Sequence, residues 1–201
     1  MIALAAALAL AVSGPRIVSS IAANLDGDAH RELVQTVEVV QPNPYGGTQP
    51  LHRRFVRVMD ESGGRSFAQR VSPVVDYVRA RVVSLPSPIG HGIWYDGSTG
   101  NGGAAPRALG LVTWTGRASR ALWRYTSSSS SLGKRFDGAS ARLFDDPARG
   151  GPGPEIKLVE GVHRAGDPMC CPFALQISLY RLNAAESAYQ LYSRRTVRRL
   201  R

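Results

Sequence analysis

Apolar and polar residues alternate one for one over much of this chain, and a repeat of two argues for strands rather than helices as the main building element. In Val78-Arg79-Ala80-Arg81-Val82 every second residue is charged, and Leu175-Gln176-Ile177-Ser178-Leu179 keeps the same period. Arg120-Ala121-Leu122-Trp123-Arg124-Tyr125 sets aromatic and basic positions on opposite faces. Side chains of a strand point alternately to its two sides, so each segment reads as a half-buried antiparallel strand with one face in the core and one in water. Three hairpins follow from the turn residues between such runs. Residues 54–60 and 66–71 flank Glu61-Ser62-Gly63-Gly64-Arg65, residues 109–115 and 120–126 flank Gly116-Arg117-Ala118-Ser119, and residues 174–182 and 187–193 flank Asn183-Ala184-Ala185-Glu186. Trp114 and Trp123 fall on the two strands of the second hairpin, where they could pair across the sheet; packing in the core is expected of them ahead of the alternative, a carbohydrate-binding platform. The expected fold class is all-β, mostly antiparallel sheet, arranged as a sandwich, a barrel or a propeller-like stack.

Between these runs, residues 42–50, 96–106 and 145–154 are rich in Pro and Gly, and residues 127–131 are all serine, so they read as loops. No internal repeat or linker divides the chain, and residues 14–201 are read as a single domain with a basic C-terminal tail. A hydrophobic fraction of 43% with 20% charged residues is that of a chain able to bury a core, which excludes wholesale disorder.

The net charge of +10 raises the question of a nucleic-acid partner. The distribution disfavours one: Arg53, Arg57, Arg79 and Arg81 are scattered along candidate strands, as on a solvated sheet face. The dense cluster is Arg194, Arg195, Arg198, Arg199 and Arg201, which is either a solvated terminus or a contact for an anionic partner such as a lipid surface or an envelope polymer.

Residues 2–12 form an unbroken apolar run of signal-peptide length, too short to span a bilayer. Ala11 and Ser13 place small residues where a signal peptidase acts, so residues 1–13 are read as an export segment and the chain as extracellular or resident in the cell envelope, with no transmembrane span. No positive charge precedes the run. Adjacent Cys170 and Cys171 form either a vicinal disulfide or two reduced thiols in a turn between Pro168 and Pro172. His30, His52, His91 and His163 show no zinc-ligand spacing.

The segment with the most definite chemistry is Asn24-Leu25-Asp26-Gly27-Asp28-Ala29-His30-Arg31-Glu32, between β-type runs at 17–23 and 33–40. Oxygen-bearing side chains stand at loop positions 1, 3, 5 and 9 (Asn24, Asp26, Asp28 and Glu32), and the backbone carbonyl of His30 stands at position 7. Calcium takes about six to eight hard oxygen ligands, and alternate residues of a tight loop can turn theirs to one centre. A divalent ion would also remove the mutual repulsion of the three carboxylates. The competing reading is a polar turn whose aspartates bind backbone amides without metal.

This loop resembles the acidic loops of FG-GAP and VCBS-type repeats, the integrin-propeller kind, in which such a loop joins two strands. The resemblance implies structural calcium. Two departures weaken the expected affinity: Asn24 replaces an aspartate, and Ala29 stands where glycine is usual, which implies a left-handed non-glycine residue at a cost of about 1 kcal/mol. The loop occurs once. Gly166-Asp167-Pro168-Met169-Cys170-Cys171-Pro172 and the strands around it resemble a segment of exported actinobacterial proteins of unassigned function, which implies a compartment and no activity.

Enzyme motifs are missing: there is no G-x-S-x-G elbow, H-E-x-x-H helix or phosphate-binding P-loop. Adjacent Asp145 and Asp146 would point apart on a strand, and His91 between two glycines reads as a loop residue. The leading expectation is therefore an exported, non-enzymatic β-domain with structural calcium, acting as a binding or cell-envelope module toward another protein or an envelope polymer. A secreted hydrolase with its site on the glycine-rich loops, and a binder of anionic envelope polymer through arginine, remain as alternatives. Converging carboxylates in a pocket would favour the first of these, and a flat basic face the second.

Overall fold

The computed structural model describes residues 14–43, 47–60, 66–100, 105–127, 135–145, 153–164, 172–183, 185 and 187–198, with the side chains of 135–138 excepted. The expected export segment at 1–13, the cysteine pair, the serine run beyond Ser127 and residues 61–65 and 146–152 lie outside the described residues.

Twelve strands and no helix make up the described chain, in three four-stranded antiparallel sheets. The first sheet is a meander of β1 (Arg16–Ala23), β2 (Glu32–Gln41), β3 (Leu51–Asp60) and β4 (Phe67–Arg70), paired in that order. The second runs β5 (Tyr77–Ser84), β6 (His91–Ser98), β7 (Arg107–Trp114) and β8 (Ser119–Thr126). The third runs β9 (Arg135–Phe144), β10 (Glu155–His163), β11 (Ala174–Asn183) and β12 (Ala188–Arg198). Each of the three expected hairpins is present.

The sheets stack face to face with the second in the middle. One core joins the first sheet to the second through Val34, Val56 and Val58 against Ile93, Tyr95 and Val112. Another joins the second to the third through Trp94, Leu111 and Trp123 against Ile156, Leu158 and Leu182. Both faces of the central sheet are thus buried, which is why β7 is apolar or small from Ala108 to Val112 instead of alternating. The expected all-β, antiparallel fold class is present as three consecutive four-stranded meanders.

Several details differ from the sequence reading. On β11 the alternation is real but inverted: Ser178 is fully buried against the central sheet, while Leu175, Ile177 and Leu179 are half-buried on the outward face. Trp114 and Trp123 do not pair, because they project to opposite faces of the central sheet. Trp123 instead stacks on Trp94 with ring centroids 5.7 Å apart, and Trp114 meets Phe67. The loop expected from residue 96 begins later, since β6 continues through Ser98. The basic tail is strand as far as Arg198, and the Arg194 guanidinium donates to Ser178 Oγ at 3.3 Å.

Candidate metal centre

The β1–β2 connection folds as a series of side-chain turns, for which Asn and Asp are suited because their short side chains reach nearby backbone amides. Asn24 Oδ1 accepts the Gly27 N–H at 2.6 Å, and its amide donates to the Asp28 carbonyl. Asp26 Oδ1 accepts the Asp28 N–H at 3.1 Å, and Asp28 Oδ1 accepts the His30 N–H at 2.6 Å. The left-handed position of the loop is Gly27, with φ of 84°. Ala29 has no positive φ, so the strain expected there does not arise.

The loop is tied down at its second residue. Leu25 is 2% exposed in the first core, and its N–H donates to Glu32 Oε2 at 2.6 Å. Glu32 begins β2 on the face that carries Val34 toward the central sheet. In the register of β2 with β3, Leu33 opposes Met59, which sets Glu32 beside Asp60 at the end of the sheet. Ligand oxygens of Asp26, Glu32 and Asp60 lie within 4.8 Å of one another, a group of three carboxylates able to hold a metal ion. Glu32 and Asp60 are buried, and Asp26 is the open member.

Of the residues singled out from the sequence, Asp26 and Glu32 therefore share one centre. Asn24, Asp28 and His30 are engaged in the turns of the loop, with the Asp28 carboxylate 3.5 Å from the His30 ring. Asp60 was missed. Its signal is faint but present: it continues the core-facing series Val56, Val58, a position where a charge is unexpected.

The electrostatics of Glu32 stand out against the other buried glutamates. Glu38, on the same face of β2, accepts from Arg54 Nε and Nη2 at 3.0 and 2.9 Å and from Arg16 at 2.9 Å, with His52 at 3.3 Å. Chiefly the Arg54 hydrogen bonds hold its carboxyl down at about 2. Glu155 is met by Arg181 and the Tyr192 hydroxyl, and Glu160 by Tyr125 and Gln176. Glu32 is pushed up instead, first by burial, with repulsion from Asp26 adding to it against the Leu25 N–H. Its Oε1 is buried without a hydrogen-bond partner. A buried carboxylate oxygen without a donor costs roughly 1–3 kcal/mol or more, so a cation bound at this oxygen would be stabilising.

Asp26 and Asp28 also line a cleft of about 370 Å³ bounded by Ile89, Trp114 and Arg120, whose walls do not include Glu32 or Asp60. Gly116, in the β7–β8 turn with φ of 79°, backs onto the cluster: a Cβ there would lie 2.8 Å from Asp26 Oδ2. In sequence and in structure the chain matches no family model, no curated protein and no solved structure.

Proposed function

We propose that the chain is an exported, non-enzymatic β-domain in which Asp26, Glu32 and Asp60 hold a structural calcium ion. The observation that carries this reading is the partnerless buried oxygen of Glu32 within a group of three carboxylates. Hard oxygen donors with a net charge of −3 suit calcium or a similar divalent cation, and water on the open Asp26 side would complete the shell. The ion would join a loop residue to β2 and β3, keep Leu25 seated in the first core, and brace the loop against the β7–β8 turn. The resemblance to FG-GAP loops and the export segment are consistent with this role, since calcium is abundant outside cells. Ligand recognition would then fall to the surfaces that the braced loop helps to shape.

The hydrolase alternative draws on the same convergence of carboxylates. It is supported less, because Glu32 and Asp60 lie outside the walls of the cleft, where a general acid or base must reach substrate. Calcium titration followed by thermal melting tests the proposal. Extracellular calcium modules bind at about 10⁻⁴–10⁻³ M, so a melting point raised by millimolar calcium and lowered by chelator is expected. An unchanged melting point under both conditions would sink the claim.

A further inference from the structure

We propose that the outer edge of β12 takes an extended acidic peptide as an antiparallel fifth strand of the third sheet, with Arg194, Arg195 and Arg198 facing its carboxylates. β12 stands at the end of the order β12-β11-β10-β9 and pairs with β11 alone. Among the described residues no other segment hydrogen-bonds to its backbone. At 11 residues it is the longest of the twelve strands, whereas β4, an edge of the first sheet, has four. From Gln190 to Arg198 every residue but Ser193 is exposed, and no proline interrupts the run. A long exposed edge of this kind presents a row of main-chain donors and acceptors to an incoming strand.

The charges on the strand select the occupant. Among the described residues none of Arg194, Arg195 and Arg198 is paired with a carboxylate, whereas Arg16, Arg53, Arg54, Arg107 and Arg181 all are. The β11–β12 register sets Arg194 opposite Ser178 and Arg198 opposite Ala174, on the face turned to the central sheet. Arg195 opposes Ile177 on the outward face, followed there by the exposed Val197 opposite Leu175. The cations thus alternate between the two faces, so a flat lipid surface meets one set and leaves the other. A neighbouring strand alternates in the same way and sets a side chain beside each arginine.

A second copy of β12 is a poor occupant. A two-fold pairing centred on Thr196 would set Arg194 against Arg198, and like charges directly opposite destabilise a sheet. The same arginines that discourage self-pairing favour a strand with acidic residues at the facing positions. The site lies on the third sheet and is independent of the acidic cluster on the first.

The probe is a fluorescein-labelled peptide, Thr-Glu-Val-Thr-Glu-Glu-Thr-Val, capped at both ends. In antiparallel pairing its glutamates oppose Arg198, Arg195 and Arg194, and its first valine opposes Val197. Fluorescence anisotropy at about 0.15 M salt should show binding with a dissociation constant below about 1 mM. A copy N-methylated at two adjacent central residues keeps every charge, but one of any two successive amides must face β12. It should bind about tenfold more weakly. Arg195→Gln and Arg198→Gln should each weaken binding about two- to fivefold, and Arg117→Gln, in the β7–β8 turn, less than that. Equal affinity for the two peptides, or equal losses from Arg117→Gln and Arg195→Gln, would reduce the effect to net charge and overturn the proposal. So would the absence of peptide binding up to about 1 mM. Binding to phosphatidylserine vesicles without binding to the peptide would assign the arginines to a lipid surface and overturn it as well. These arginines are exposed, and unchanged melting points would show that their variants fold.

Discussion

Replacing Glu32 by glutamine separates the two roles of the acidic cluster, because it keeps the side-chain shape and removes one charge. The glutamine carbonyl can still accept the Leu25 N–H now received by Glu32, and its new N–H₂ group faces Asp26 and Asp60. In chelator the native cluster holds carboxylates no more than 4.8 Å apart. Repulsion between two unit charges at that distance is about 3.5 kcal/mol at an effective dielectric near 20. Proton uptake by Glu32 and water around Asp26 absorb part of this, leaving about 1–2 kcal/mol to be relieved. Calcium at about one hundred times its dissociation constant stabilises the native protein by about 2.7 kcal/mol. At about 2–4 °C per kcal/mol for a domain of this size, native protein should gain about 5–10 °C from calcium. Glu32→Gln should melt about 2–8 °C above native protein in chelator and gain less than about 2 °C from the ion. Differential scanning calorimetry at neutral pH reads both. A variant that melts below native protein in chelator, or that keeps the full calcium shift, would refute the reasoning.

Gly116→Ala should cost about 1–2 kcal/mol from its left-handed backbone alone, and should also weaken calcium binding by displacing Asp26, read as a rightward shift of the titration. An unaltered calcium affinity would separate the β7–β8 turn from the site. The Glu38 carboxyl, held at about 2 against an ordinary 4.5, contributes stability that is present above pH 4.5 and lost as pH falls toward 2. Urea midpoints of native protein and Glu38→Gln should therefore differ steadily between about pH 5 and 7 and converge by about pH 2–3. Trp123→Ala removes the ring stacked on Trp94 and met edge-on by Tyr180, and should cost about 3–5 kcal/mol, with loss of the near-ultraviolet signal of the coupled indoles.

The sequence by itself determined the elements. Period two on 78–82, the Gly-Gly and Gly116 turns, and the Asn-Asp-Gly series at 24–28 are local instructions, carried by side-chain direction and backbone freedom within a few residues. They placed hairpins and the polar loop correctly. The partners were decided by tertiary structure. Alternation says which residues share a face but not whether that face meets another sheet, so Leu175, Ile177 and Leu179 turned outward while Ser178 went in. It could not tell that both faces of the central sheet would be covered, which sent Trp114 and Trp123 to different cores. The acidic loop shows the same division. Its turns are written in Asn24, Asp26 and Asp28, yet Asp60, at the far end of β3, joins Asp26 and Glu32 only through the β2–β3 register. Whether Glu32 found a cation, as Glu38 did in Arg54, depended on which side chains that register brought alongside, and there it brought another carboxylate.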